Sequence, residues 1–197
     1  MESPSNPKLR LLRRLQSASQ RRRLGLFPCE GEDLVVAGLD AGLEPVELLV
    51  DAERPVLLDR LPAATQVAPA LLADLSELAH PPRAIAVFRR VDLPRLEPAN
   101  APEAGLALWR VADPGNVGTL LRSADALGPG FVCLSSGCAD PTGAKAVRAS
   151  MGAVFRVPLG DFGQAPGRRI GLVAHGGAPL GELELSGQVC FVLGAER

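Results

Sequence analysis

One segment of the chain, ADPGNVGTLLRSADALG at residues 112–128, carries the residue types best suited to binding a ligand. Its proline–glycine pair favours a turn, and Asn116 is a residue type that caps the start of a helix. Gly118 allows the first helical turn to approach another backbone or a ligand closely. Arg122, four residues later, projects from the same helical face. These features indicate a polar loop and an arginine at a ligand-binding edge, and a capped helix with a surface arginine is the competing interpretation.

The elements that must position this segment are predicted by alternating apolar runs and helical patterns. A strand over residues 106–111 precedes it, and a helix over 117–127 follows, ended by Gly128. The segment then lies at the carboxyl end of a parallel strand, where open α/β sheets bind their ligands. A helix is predicted over 144–153, and further strands over 131–134, 154–157, 170–174 and 189–193. Apolar runs of this kind, separated by crossover helices, are typical of a buried parallel sheet.

The first 90 residues predict a separate, small α/β sandwich. Helical patterns cover residues 8–23, 32–41 and 68–79, and apolar strands cover 26–29, 46–50 and 84–88. The proline-rich residues 92–105 are typical of a semi-rigid linker. The predicted organisation is therefore a first domain over 1–91, a linker over 92–105 and a second domain over 106–197.

The composition is that of an ordinary globular protein, with 197 residues and a formal net charge of −1. No apolar run approaches the length of a membrane helix and no secretory signal is evident, so a cytoplasmic protein without membrane contact is expected. Four cysteines without C-x-x-C spacing favour buried free thiols over zinc ligands or disulfides. The first 25 residues hold seven basic side chains and one acid. Such a cluster suits an RNA backbone or, equally, a solvated helix.

Three ordered segments of the second half resemble the SpoU/TrmH family of RNA methyltransferases, within the SPOUT superfamily. Asn116, Gly118 and Arg122, in D-P-G-N-x-G-T-x-x-R, are similar to the first family motif. Residues 131–158 resemble a strand followed by K-x-x-R-x-S-x-G-A. Residues 192–196, VLGAE, are similar to the start of the second motif, L-G-x-E-x-x-G. The basic start and the AGLEPVELLV stretch resemble the RNA-binding domain often fused in front.

The resemblance implies both a fold and an activity. The fold is α/β: a small N-terminal α/β sandwich that binds RNA, then a C-terminal parallel-sheet SPOUT (α/β knot) methyltransferase domain. The activity is transfer of a methyl group from S-adenosylmethionine to a ribose 2′-hydroxyl of RNA, with ribosomal RNA the expected substrate. The sulfonium donor is already activated, so no metal is expected. A homodimer is expected for the complete enzyme.

The resemblance also assigns roles to individual residues. Arg122 polarises the hydroxyl or holds the adjacent phosphate, Asn116 fixes the loop, and Glu196 orders the site. The expected cofactor-binding residues are Gly194, Leu193, Ala174, His175 and Gly176. For His175, a turn without a ligand is the favoured alternative. The expected RNA-binding residues are Lys8, Arg10, Arg13, Arg14, Arg21, Arg22, Arg23, Lys145 and Arg148.

The family pattern continues past the last residue of this chain, Arg197. The rest of the second motif and the whole third motif, an I-P-M-like strand followed by S-L-N, have no counterpart here. We therefore expect the knot segment to be missing, and these 197 residues to bind S-adenosylmethionine weakly or not at all and not to catalyse.

Two other classes of function stay open. The first is a non-catalytic RNA-binding protein derived from this family, and the second is a generic nucleotide-binding α/β domain. RNA binding by residues 1–90 alone separates the generic domain from the other two classes.

Overall fold

The computed structural model describes residues 6–76, 81–128 and 130–194, and these form two compact units. Residues 6–92, together with Thr142–Ala144, make up the first unit. Leu93–Pro141 and residues 145–194 make up the second. No helix in these ranges is long and apolar enough to cross a membrane.

The first unit contains a mixed four-stranded sheet in the described residues, with strand order β1-β4-β2-β3. Its strands are β1 (Leu26–Glu30), β2 (Glu47–Asp51), β3 (Thr65–Val67) and β4 (Ala84–Arg89). Its helices are α1 (Pro7–Leu15), α2 (Ala18–Leu24), α3 (Glu32–Asp40), α4 (Leu57–Arg60) and α5 (Pro69–Asp74). Strand β4 pairs antiparallel with β1 and β2, and β2 pairs parallel with β3. Sequence patterns predicted the three longer strands and missed β3 and α4, which are too short to show periodicity.

The core of this unit is built on the leucine stripe of α1. Leu9, Leu12 and Leu15 follow one another at a spacing of three and are buried. They pack with Leu49 of β2 and Ile85 of β4 in one apolar cluster. Full burial of each leucine stabilises the fold by about 1.5–3 kcal/mol, so this stripe holds the basic first helix on the sheet.

The single helix predicted over residues 8–23 is in fact two helices, α1 and α2, separated at Gln16 and Ser17. Arg21 of α2 is only 6% exposed, and its guanidinium donates to the carbonyl oxygens of Leu15 and Gln16 at 3.0 and 2.9 Å. The last carbonyls of a helix lack partners within the helix. Arg21 provides these carbonyls with hydrogen-bond donors and so stabilises the break between α1 and α2. Such a contact cannot be predicted from the helical periodicity of the sequence.

Replacing Arg21 with methionine tests this role. We expect Arg21→Met to lower the free energy of unfolding of the first unit by about 1–3 kcal/mol, because two carbonyls lose their donor. The neighbouring, exposed Arg22 offers a control. Arg22→Met should change the free energy of unfolding of the first unit by less than about 0.5 kcal/mol. Hydrogen exchange of the β4 amides measures both. Equal protection in the two variants would contradict the assignment.

The second unit contains a five-stranded sheet in which every described pairing is parallel, with strand order β7-β6-β5-β9-β8. Its strands are β5 (Ala104–Trp109), β6 (Gly130–Leu134), β7 (Leu159–Asp161), β8 (Arg168–Gly171) and β9 (Val189–Gly194). Its helices are α6 (Pro114–Ala126) and α7 (Ala144–Ala149). The predicted parallel sheet is confirmed.

One strand prediction in this unit was wrong. Residues 154–157 do not form a strand, because Ala153–Phe155 is a buried 3-10 turn that begins after Gly152, whose φ is 85°. The turn packs against α6. A short apolar run looks the same whether it is a buried strand or a buried turn. The strand itself, β7, starts four residues after Phe155.

Of the proline-rich residues 92–105, expected as a linker, residues 93–105 pack within the second unit and include the start of β5. Leu93 is buried. The Leu96 amide donates to the Leu159 carbonyl at 2.9 Å, and the Leu159 amide donates to the Pro94 carbonyl at 3.0 Å. Extended, proline-bearing chain suits the edge of a sheet, and here it lies beside β7.

The cysteines Cys29, Cys133 and Cys190 are buried free thiols, as their apolar surroundings predicted. Burial raises the pKa of Cys133 to about 12 and also raises the pKa of Cys190. These thiols are therefore protonated at neutral pH and contribute to packing.

Candidate active site

A cavity of about 460 Å³ opens at the carboxyl edge of the parallel sheet. It is lined by residues 110–113 after β5, by Asn116, Thr119 and Leu120 of α6, and by the end of β9 at residues 193–194. From β5 the chain crosses to β6 and β7 on one side, whereas β8 and β9 lie on the other. This is the switch point at which open α/β sheets bind ligands. The volume is also in the range of small-molecule sites, about 300–1,000 Å³.

The start of α6 is fixed by Asp113, not by Asn116 as predicted. The Asp113 carboxylate accepts the Asn116 backbone N–H at 2.9 Å, and Pro114 occupies the first helical position. Proline favours that position because its φ is already helical and it has no N–H to satisfy. The cap therefore falls one residue before the proline. The side chain of Asn116 is left exposed at the cavity wall.

An ion pair joins the beginnings of α6 and α7. Lys145 donates from Nζ to Asp113 Oδ2 at 2.8 Å, and both side chains are exposed. The hydrogen bond from Lys145, followed by that from the Asn116 amide, lowers the pKa of Asp113 below its ordinary value. Asp113 is therefore an anion at neutral pH whose charge is compensated by Lys145.

Gly118 lies where α6 meets the backbone of α7. A Cβ atom at this position would be 2.3 Å from the Ala146 carbonyl oxygen and 2.6 Å from the Ala149 Cβ atom. No side chain fits such a gap, so glycine is required for the two helices to pack this closely. The sequence suggested that Gly118 allows close approach either to another backbone or to a ligand, and the structure supports approach to the backbone of α7.

Arg122 lies one turn after Gly118 on α6 and is exposed. It does not line the cavity. One turn later, Asp125 accepts from the guanidinium of Arg156 at 2.5 Å, which raises the pKa of that arginine. The end of α6 is thereby fixed while Arg122 faces solvent.

Comparison with known proteins relates the second unit, which contains the cavity, to a protein family. A model of the SpoU rRNA Methylase family matches residues 103–197, a segment that contains every residue lining the cavity. The rRNA methyltransferase 3B, mitochondrial, of Danio rerio is 38% identical over 167 residues, 79% of this chain and 37% of the zebrafish protein. Residues 103–197 of the chain belong to the SpoU rRNA methylase family.

A second relative and a solved structure extend the likeness to the first unit. The 23S rRNA (guanosine(2553)-2′-O)-methyltransferase RlmP of Bacillus subtilis is 29% identical over 100% of this chain and 82% of its own length. The AdoMet-bound rRNA methyltransferase from Sinorhizobium meliloti has a TM-score of 0.82 at 26% identity, covering 100% of this chain and 82% of that one. The match confirms an α/β fold with a small mixed N-terminal sheet and a SPOUT-like parallel sheet. The chain spans only 37% of the zebrafish relative.

The cofactor-binding residues expected from the SpoU family pattern lie at one edge of the sheet, and only some of them line the cavity. Leu193 and Gly194 do so, together with Asn116. Residues 174–176 follow the carboxyl end of β8, whose Gly171 pairs with Val192 of β9, and they are exposed and outside the cavity lining. Glu196 lies outside the described residues.

Several of the expected RNA-binding residues are engaged within the protein. Lys8 pairs with Glu47 at 2.6 Å and Arg13 with Asp74 at 2.7 Å. Arg21 is buried, and Lys145 is paired with Asp113, as described above. The others are exposed: Arg10, Arg14, Arg22, Arg23 and Arg148.

Sequence reasoning missed two residues that shape the cavity, Arg110 and Asp113. Arg110 was placed inside a strand over 106–111, although β5 ends at Trp109. The Asp-Pro pair was the available signal for Asp113, because an acidic residue directly before a proline matches the cap and first-turn preference.

The ion pair predicts a measurable change in the titration of Asp113. In Lys145→Met we expect the pKa of Asp113 to rise toward its ordinary value, because the main cause of its lowering is removed. A lowered pKa in the folded state stabilises the protein above the unfolded value, near pH 4, and this contribution is lost on acidification below it. Carboxyl-detected NMR titration measures the change. Lys8→Met is the control, and an unchanged Asp113 pKa in Lys145→Met would contradict the pair.

Proposed function

We propose that this protein transfers a methyl group from S-adenosylmethionine to a ribose 2′-hydroxyl of ribosomal RNA. The observation that carries the proposal is the cavity at the switch point, where Asn116 of the first family motif meets Leu193 and Gly194 of the second. The relative from Bacillus subtilis is named a 23S rRNA 2′-O-methyltransferase. The Sinorhizobium meliloti protein has been solved with AdoMet bound.

The cavity fits a ligand of the size and mixed polarity of S-adenosylmethionine. Its wall combines the polar side chains of Asn116 and Thr119 with the apolar side chains of Leu120 and Leu193. At Gly194, a Cβ atom would meet nothing within 4 Å, so the backbone there is open to a ligand. Leu193, Gly194 and the 174–176 segment are the proposed cofactor-binding residues. When bound, S-adenosylmethionine supplies a methyl group that is already activated by its positively charged sulfur.

The residues of the chain must then bind the ribose and activate its 2′-hydroxyl as a nucleophile. A ribose hydroxyl is a weak nucleophile until negative charge on its oxygen is stabilised. The exposed guanidinium of Arg122 is the proposed group, since its planar fork of N–H donors can hold the hydroxyl oxygen and an adjacent phosphate together. Asn116 is proposed to orient the loop at the cavity wall, and Glu196 to order the site.

Residues 1–91 are proposed to recognise RNA. The exposed arginines of α1 and α2 suit phosphate contacts that do not read sequence. This positions an RNA strand without specifying a nucleotide. Assembly of the enzyme as a homodimer remains a prediction.

Methyl transfer to RNA tests the proposal directly. The protein expressed from its full reading frame is incubated with ribosomal RNA and S-adenosylmethionine labelled in the methyl group. We expect label in RNA and, after alkaline hydrolysis, in an alkali-resistant dinucleotide, because a methylated 2′-oxygen cannot attack its own phosphate. Label released in mononucleotides would indicate base methylation and contradict the ribose assignment. Absence of label would contradict the methyltransferase.

A further inference from the structure

Arg110 has an unusual backbone for its residue type. Its φ is 56°, in the left-handed region, where an L side chain is disfavoured and glycine is the common choice. Its amide donates to the hydroxyl oxygen of Ser135 at 2.9 Å. Ser135, in the loop after β6, thus holds the turn that follows β5. The backbone conformation of that turn is energetically unfavourable for an arginine.

Arg110 also has an unusual electrostatic position. Two charged side chains line the cavity among the described residues, Arg110 and Asp113, and the charge of Asp113 is compensated by Lys145. The side chain of Arg110 is exposed, and it makes no hydrogen bond or ion pair within the described part of the chain. Its guanidinium therefore presents five N–H donors and an uncompensated positive charge at the cavity.

We propose that Arg110 binds an oxyanion at the mouth of the cavity, a role that rests on the proposed function. Two sources present this chemistry there: a phosphate of the RNA substrate and the carboxylate of S-adenosylmethionine. A planar guanidinium holds either one in a bidentate manner. This use accounts for an arginine in a position that glycine would occupy without strain.

The test compares three variants with the wild-type protein expressed from its full reading frame. Arg110→Gly removes the guanidinium and accepts the positive φ, so its thermal midpoint should equal or exceed that of the wild type. Arg110→Lys keeps the charge and loses the planar fork. Arg95→Ala removes an exposed arginine of the same unit that does not line the cavity. Affinity for ribosomal RNA is measured across a salt series, and affinity for S-adenosylmethionine is measured by calorimetry without RNA.

If the oxyanion is a phosphate, Arg110→Gly should weaken RNA binding by about tenfold and reduce the slope of log affinity against log salt by about 1. Arg110→Lys should restore the slope but only part of the affinity. If the oxyanion is the cofactor carboxylate, the salt slope stays unchanged and the affinity for S-adenosylmethionine falls by about tenfold. Either result supports the proposal, provided that Arg95→Ala behaves as the wild type.

Wild-type values for both ligands in Arg110→Gly would overturn the role of Arg110 and leave the proposed function standing. A wild-type protein that binds neither ligand would contradict the proposed function itself, and with it this inference.

Discussion

Replacing Arg122 with alanine is expected to lower the rate of methyl transfer about 100- to 1,000-fold, the effect of removing one donor that stabilises a developing oxyanion. The side chain is exposed and makes no ion pair among the described residues. Its loss should therefore leave the fold and the cavity intact. The rate is measured with labelled S-adenosylmethionine and ribosomal RNA, and fold integrity by the thermal midpoint.

A conservative variant separates chemistry from charge alone. Arg122→Lys keeps a positive charge on a flexible stem but cannot hold a hydroxyl and a phosphate in one plane. We expect it to recover binding of RNA and only a small part of the rate constant. A full rate in Arg122→Ala would remove this residue from the mechanism.

Replacing Gly118 with alanine is expected to lower the free energy of unfolding of the second unit by about 1–3 kcal/mol, the usual cost of forcing extra atoms into a packed contact. The new Cβ atom would be 2.3 Å from the Ala146 carbonyl oxygen, which is backbone and cannot rotate away. Alanine gains about 1 kcal/mol over glycine in helix propensity, and that gain is too small to offset separation of α6 and α7. The separation should also pull Lys145 away from Asp113.

The single tryptophan of the chain, Trp109, ends β5, and its fluorescence reports unfolding of the second unit alone. Gly163→Ala is the matched control, since a Cβ atom at that glycine meets nothing within 4 Å and its φ is ordinary. Equal unfolding midpoints for Gly118→Ala and Gly163→Ala would show that the two helices tolerate the added methyl group.

The parallel sheet could be predicted because each of its long strands is an apolar run bounded by turn residues. β5, β6 and β9 were each located to within a few residues from that pattern alone. The pattern fails where burial comes from tertiary packing, as at the turn Ala153–Phe155. It also fails where a side chain of the next helix stabilises a helix end, as Arg21 of α2 does for α1. Local periodicity carries no information about such contacts.

The candidate site was predicted in part for a similar reason. Asn116, Leu193 and Gly194 stand in motifs and do line one cavity. Arg110 lies in none of the motifs. Its proposed role in binding an oxyanion depends on its positive φ, which cannot be predicted from the sequence. The expected RNA contacts of Lys8 and Lys145 could not be judged from sequence, because their acidic partners Glu47 and Asp113 are brought to them by the fold.

The most direct measurement of the central claim is the ribose methylation of ribosomal RNA in the source organism after deletion of the gene. Mass spectrometry of nuclease digests compares the deletion strain with strains complemented by the wild-type gene or by Arg122→Ala. We predict that one 2′-O-methylated nucleotide disappears on deletion, returns with the wild-type gene and stays absent with Arg122→Ala. An identical set of 2′-O-methylated nucleotides in all strains would contradict it.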